Sequence, residues 1–426
     1  MADKLTYSDS KNIEHLFRQQ SGKMFSILIR LFGFDNSTLI EDIIQESFLS
    51  AMKTWSIKGI PDNPEAWLMQ VSKNKLINEL KKRTNRTRLN EQFAGEKFEE
   101  KVEELFLDNE IEDSQLRALF ACCHPVLSQK EQIMITLKIL SGFSNIEIGS
   151  ALLCSPSSVK KAIYRAKKKL AAQEIALNSP FIEEAKKRMH SAHTIIYLIF
   201  NEGYKSTESE QVLNEDLCFE ATRLALLLCQ IEGQHQYDTY ALLSLIYFSM
   251  SRFPSRLTDK GDVIELQFQD REKWDQEMIE AGIHFLNKAK TNNSLSKYYL
   301  EAAIASIHCS TKNYEKTDWK AITICYDRLL EIQKSPVLVI NRIIAKSKWD
   351  SAEQALKELE NIESDLNQQL KPLFCSAKAD ILLNLKRYDL AKSYYQVACD
   401  LSKNKADKKF LLKKVYECDR KNVSKN

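Results

Sequence analysis

Glycine and proline are scarce, at 10 and 8 of 426 residues. So few chain breakers exclude collagen-like and low-complexity classes, and with Leu, Ile, Lys, Glu and Ala abundant they favour helix. No uninterrupted apolar stretch of about 18 residues occurs, so no membrane-spanning helix is expected. The amino-terminal segment MADKLTYSDSKNIEHLF has no apolar core of the kind a secretory signal needs, which makes a soluble, cytoplasmic protein the default expectation. Common enzymatic signatures are also missing: no phosphate-cradling glycine loop, no G-x-S-x-G elbow and no H-E-x-x-H pair. The seven histidines are scattered, and His190 and His193, three apart on one helical face, are a pair of the kind that more often packs or is solvated than binds metal. No enzyme activity and no cofactor are expected. The net charge is only +3, which taken alone argues against a nucleic-acid partner.

What is present is enough chain for two or three domains with full cores. Most of the ten cysteines sit singly in apolar helical runs, where Cys behaves as a small hydrophobe. Cys122-Cys123-His124 invites a metal reading, but adjacent cysteines lack the gap of a zinc site and no second ligand pair follows, so no metal site is expected.

Hydrophobic periodicity runs helical almost throughout. Residues 11–33 read as one or two helices. A helix over 38–55 is expected to bury Ile40, Ile43, Ile44, Phe48, Leu49 and Met52 and to expose Glu41, Asp42, Gln45 and Glu46. The segment IKGIPDNPE breaks the pattern, and a third helix spans about Glu65 to Lys82. Residues 114–170 read as another unit, with a short helix from Asn145 to Leu153 and, from Ser155-Pro156, a helix to Leu170 that carries Lys160, Lys161, Arg165, Lys167, Lys168 and Lys169 and no acid. Beyond residue 175 helices continue to the end. At 377–401 small Ala379 and Ala391 alternate with Tyr388, Tyr394 and Tyr395, the pairing by which a tetratricopeptide unit stacks on its neighbour; any unit at 321–349 is degenerate.

Charge changes sign along this order. Seven bases face the single Glu79 between Lys73 and Arg88, then residues 89–113 hold ten acids and two lysines, which reads as a solvated acidic linker or exposed helix. Residues 1–170 carry the whole excess of +3, while residues 171–426 hold 36 bases and 36 acids. The small total conceals a basic, acidic, basic order followed by a neutral scaffold.

The first 170 residues resemble a bacterial sigma factor of the extracytoplasmic-function class. The resemblance is carried in region two by Asp42-Ile43-Ile44-Gln45-Glu46-Ser47-Phe48 and by Ala66-Trp67-Leu68-Met69-Gln70-Val71-Ser72-Lys73-Asn74. In region four it is carried by Leu127-Ser128-Gln129-Lys130-Glu131, by Ser158-Val159-Lys160, and by the run from Arg165 to Leu170. Asn78 and Glu79 depart from the acid-then-base order of many relatives. The stretch Ile196 to Tyr204, the run Gln269-Asp270-Arg271-Glu272-Lys273-Trp274-Asp275 and the closing repeat look like the subgroup with a tetratricopeptide-like extension.

The resemblance implies an all-α fold: sigma region two over residues 1–88, the acidic linker over 89–113, a region-four helix-turn-helix over 114–172 and a helical tetratricopeptide-like extension over 176–426. It implies that Asp42, Gln45, Glu46 and Phe48 bind core RNA polymerase, although the same exposed positions also suit an ordinary solvated face. It implies that Asp62, Asn63, Lys73, Asn74, Lys81 and Lys82 meet the melted downstream promoter element, with Trp67 and Trp55 as packing residues. Duplex readout of the upstream element falls to Ser157, Ser158, Lys160, Lys161, Tyr164 and Arg165, with Val159, Ala162, Ile163 and Ala166 packed inward and Lys167 to Lys169 steering by charge. The acidic linker, through Glu99, Glu100, Glu103 and Glu104, would thread the polymerase. The extension reads either as a control module with a protein or peptide partner, or as a scaffold in which Asn201, Glu202, Tyr204, Asp270, Arg271 and Trp274 are internal polar ties. The alternative to a sigma factor is a helix-turn-helix regulator or adaptor on a repeat scaffold that never touches polymerase.

Overall fold

The described residues are mostly helical, and among them β pairing is limited to one isolated bridge, Leu257 to Val263. The computed structural model describes residues 7–86, 107–152, 154–173, 182–204, 213–233, 235–259, 261–290, 295–402 and 405–423. It divides into two compact units, residues 1–198 and 199–426.

In the amino-terminal unit α1 (Tyr7–Phe32) is one continuous helix that buries Met24, Phe25, Ile27, Leu28 and Ile29. Gly33, at φ 72°, adopts the left-handed conformation that a side chain resists, and a short 3-10 turn leads into α2 (Ser37–Lys58). Pro64 opens α3 (Pro64–Arg86), where its missing N–H costs nothing. Ala51 and Trp55 of α2 meet Leu68 of α3, with Phe17, Phe48 and Trp67 packed around them.

The second half of the unit is α4 (Asp108–Cys122), α5 (Gln129–Ile139), α6 (Asn145–Leu152) and α7 (Pro156–Ala171). Of the two readings of residues 89–113, solvated linker or exposed helix, the last residues take the helical one: α4 begins at Asp108, and the Arg30 guanidinium of α1 lies 2.8 Å from Glu110 and 3.0 Å from Asp113. Carboxylates in a first turn also suit the positive end of the helix dipole. The linker residues 89–106, including Glu99, Glu100, Glu103 and Glu104, lie outside the described residues. Gly22 lets α1 approach the end of α5, since a Cβ there would stand 1.9 Å from the Leu140 carbonyl oxygen.

The boundary between the two compact units falls inside α8 (Ile182–Tyr204). The first part of α8 is held by the amino-terminal unit, where Arg188 donates to the Phe120 carbonyl at 3.1 Å. His193 is buried and His190 exposed, so the two do not form one face open to a ligand.

In the carboxy-terminal unit follow α9 (Glu215–Leu228), α10 (Gln236–Met250) and the single turn α11 (Phe253–Arg256). After a tied-down loop come α12 (Gln276–Lys288), α13 (Lys297–Cys309), α14 (Trp319–Ile332), α15 (Pro336–Lys346), α16 (Ala352–Asn361), α17 (Lys371–Asn384), α18 (Tyr388–Leu401) and α19 (Lys405–Val423). The segment 377–401 does form a helix pair around small residues. Ala379 and Ala391 are fully buried, and Tyr395 fills the space between the helices while its hydroxyl donates to Asp380. Burial pushes the Asp380 carboxyl up, against the opposing hydrogen bond from Tyr395. The loop 257–275 is fastened to α19, where Asp262 pairs with Lys409 and Lys413 and Glu265 with Lys414.

Candidate nucleic-acid interface

The basic helix α7 starts from a firm cap. Ser155 accepts a hydrogen bond from the Ser158 N–H at 3.2 Å, and Pro156 occupies the first turn. One side of α7 is apolar and buried, formed by Val159, Ala162, Ile163, Ala166 and Leu170. The other side leaves Ser157, Ser158, Lys160, Lys161, Tyr164 and Arg165 exposed, so all six expected readout positions share one open face. The hydroxyls of Ser157 and Ser158 lie 2.9 Å from Ser155 Oγ and so also serve the cap.

The turn before α7 depends on Gly149 at the end of α6. A Cβ there would stand 2.6 Å from the Cys154 carbonyl oxygen, and the Cys154 N–H donates back to the Gly149 carbonyl at 3.0 Å. Short helix, tight turn and exposed basic helix make a helix-turn-helix.

Two of the three lysines expected to steer by charge have other work. Lys167 is buried and pairs with Glu41 of α2 at 2.8 Å, lying over the Phe25 ring. Lys169 pairs with Glu131, which closes a reciprocal capping box with Ser128 at the start of α5. Burial raises the Glu131 carboxyl, but Lys169 and the Ser128 donors outweigh it and hold it below its ordinary value. Of the three, Lys168 is exposed and forms no ion pair among the described residues. The spacing that puts Lys167 and Lys169 beside acids from α2 and α5 is a long-range property with no local signal.

On α2, Asp42, Gln45 and Glu46 are exposed, with Glu46 3.2 Å from Lys75 of α3. Phe48 is a packing residue: its ring stacks on Phe17 at 4.6 Å between centroids. Leu49 and Met52, expected in the core, are 54% and 60% exposed and extend the face of Asp42 and Gln45. Helical spacing gave this away, since nine residues at about 100° each put Leu49 opposite the buried Ile40.

Between α2 and α3, Asp62 and Asn63 are exposed, and Asn63 Oδ1 accepts from the Ala66 N–H at 3.0 Å, which leaves its amide nitrogen to face outward chemistry. Trp67 and Trp55 pack together at 5.4 Å, as expected of bracing residues. On α3, Asn74 and Lys82 are exposed eight residues apart on one face, and Lys73 is half-buried; the Lys81 side chain lies outside the described residues.

Cys122 and Cys123 are buried at the end of α4, where burial pushes the Cys122 thiol up to about 12, and the neighbouring His124 accepts the Val126 N–H on Nδ1. Neutral thiols in such a place are packing groups. No described helix is long and apolar enough to cross a membrane.

The amino-terminal unit thus joins a helical module with an exposed acidic face to a helix-turn-helix with an open basic face, an arrangement suited to binding DNA. The comparisons with known proteins agree in position. A family profile for sigma-70 region 2 matches residues 16–86, and one for sigma-70 region 4 matches residues 117–170. Residues 188–290 match a family of unknown function, DUF6596. An uncharacterized protein of Rhizobium meliloti (strain 1021) is 32% identical over 381 residues, covering 89% of each chain. No solved structure matches the chain. The chain belongs to the sigma-70 family.

Proposed function

We propose that the protein is an extracytoplasmic-function type sigma factor, acting in the cytoplasm, which binds core RNA polymerase and directs promoter-specific initiation. The observation that carries this reading is the pairing of two exposed faces in one compact unit: an acidic and apolar face on α2 and the basic readout face of α7. In this reading Asp42, Gln45, Glu46, Leu49 and Met52 dock on polymerase, and Phe48 acts only through packing. Asp62, Asn63, Lys73, Asn74, Lys81 and Lys82 meet unpaired bases and backbone of the downstream element, by hydrogen bonds to base edges and cationic contacts to phosphate. Lys160, Lys161, Tyr164 and Arg165 read the upstream duplex, Ser157 and Ser158 set the approach of the helix, and Lys168 adds phosphate attraction.

The helix pairs of the carboxy-terminal unit suit a tetratricopeptide-like scaffold that carries a regulatory protein or peptide partner, supported by the small and large residue pairing at α17 and α18. The test of the polymerase face is co-purification with core enzyme. Asp42→Arg combined with Glu46→Arg is expected to abolish it with helix content unchanged, because both positions are exposed. Retained binding contradicts the assignment.

A further inference from the structure

Three arginines of the carboxy-terminal unit stand near one another with no ion-paired acid among the described residues. Arg252 follows α10, Arg256 ends α11, and Arg271 lies in the short turn that the sequence motif QDREKWD forms. Arg252 and Arg271 flank the buried Trp274 ring, their guanidinium carbons 5.8 and 4.8 Å from its centroid. Arg256 stacks on the Tyr204 ring at 3.6 Å. Trp274 itself is pinned by its indole N–H to Ser255 Oγ at 2.8 Å, so the platform between the arginines is rigid.

Every hydrogen bond of the three goes to a neutral acceptor. Arg252 donates to Gln269 Oε1, Arg256 to the Tyr204 carbonyl, and Arg271 to the His308 and Thr311 carbonyls. None of the three forms an ion pair with a described carboxylate. Arg256 is 7% exposed, yet its Nε has no acceptor, and Nη2 of Arg271 is likewise buried without one. The cations also act on one another and their surroundings. Burial and then the fields of Arg252 and Arg271 push the neighbouring His308 down to about 3, so it stays neutral. Glu315 acts favourably on Arg271 only at a distance. Buried, unbalanced guanidiniums are costly, and such a cost is offset when an anion completes the site.

We propose that Arg252 and Arg271, beside the Trp274 ring, together with Arg256, over the Tyr204 ring, form a binding site for a small phosphate-bearing molecule. Arginine's planar fork matches phosphate oxygens two at a time, and three such cations favour a dianion over a monoanion such as acetate. Arg252 is the group through which the ligand enters, because it is half-buried and its terminal nitrogens have no acceptor among the described residues. The site lies wholly in the carboxy-terminal unit and is independent of the sigma-factor reading.

The test is the thermal stability and calorimetric binding of the full chain with inorganic phosphate, AMP, and acetate or chloride at matched ionic strength. Phosphate or AMP is expected to raise the melting temperature where acetate and chloride do not. Arg252→Gln is expected to weaken phosphate binding about tenfold or more, the loss of one charge-assisted contact. Lys161→Gln with Arg165→Gln, on the DNA-facing helix, is expected to leave it unchanged. Preference for AMP over phosphate identifies a nucleotide-like ligand, and equal response identifies the phosphate group itself as what is recognised. Equal stabilisation by phosphate and chloride overturns the proposal, as does unchanged phosphate affinity in Arg252→Gln. Should that variant lose its helix content, Arg252→Lys keeps the charge without the fork, and unchanged affinity there overturns the proposal in the same way.

Discussion

Lys161 and Arg165 sit four residues apart on the open face of α7, while Ala162 and Ala166, one step round the helix, are packed. Alanine at Lys161 or Arg165 is therefore expected to leave the fold intact and, in the proposed reading, to remove only contacts to DNA. If either makes a bidentate base contact, its loss costs about 1 to 3 kcal/mol and relaxes specificity at that base pair. Lys168→Ala is expected instead to weaken all sequences alike and to lower the salt slope of binding by about 1. Binding titrations on promoter and non-promoter duplexes at several salt concentrations separate the two, and untouched promoter binding in the double alanine variant would mean that another element reads the duplex. Glu131 carries a pH signature. Its folded carboxyl is held below its ordinary value, so the stability it contributes is present above the ordinary carboxylate range and is lost as pH falls through the lower folded value. Melting of the wild type should exceed that of Glu131→Gln at neutral pH, and the gap should close below about pH 4. A gap that persists in acid would show that the ion pair with Lys169 is not its source.

Elements were more legible than the contacts between them. The helix-turn-helix was readable because Ser155-Pro156 and the basic, acid-free run are local signals, and the capping box at Ser128 and Glu131 is likewise local. On α2 apolar identity and angular position disagree at Leu49 and Met52, and position decides: both face solvent. The early start of α4 at Asp108 and the duties of Lys167 and Lys169 depend on Arg30, Glu41 and Glu131, each tens of residues away or more, and no periodicity reports them. The arginine cluster was invisible for the same reason: its members are spread from the end of α10 to the motif at 269–275. Within the motif Trp274 donates to Ser255 Oγ and Asp275 caps α12, while its arginine joins a larger group. Gly149 tests the turn before the recognition helix. Gly149→Ala puts a methyl against the Cys154 carbonyl, and overpacking of this kind costs about 1 to 3 kcal/mol. Melting temperature and duplex affinity are expected to fall together; an unchanged pair would mean that the backbone turn yields easily.

Across the whole molecule, charge is ordered. The amino-terminal 170 residues hold 25 bases and 22 acids, and the acids are concentrated between two basic helices, while the rest of the chain is balanced. A net charge of +3 thus accompanies two faces suited to DNA and one suited to a protein partner. The carboxy-terminal unit is neutral in sum but locally unbalanced at its arginines, so charge location carries more information than charge total at both ends. In the proposed reading both amino-terminal modules serve initiation by polymerase and not merely attachment to duplex. Run-off transcription with purified core RNA polymerase, on promoters mapped from start sites after overexpression, tests it most directly. The account predicts transcripts that require both core enzyme and this protein and that are lost in Asp42→Arg with Glu46→Arg; duplex binding without any core-dependent transcript would contradict it.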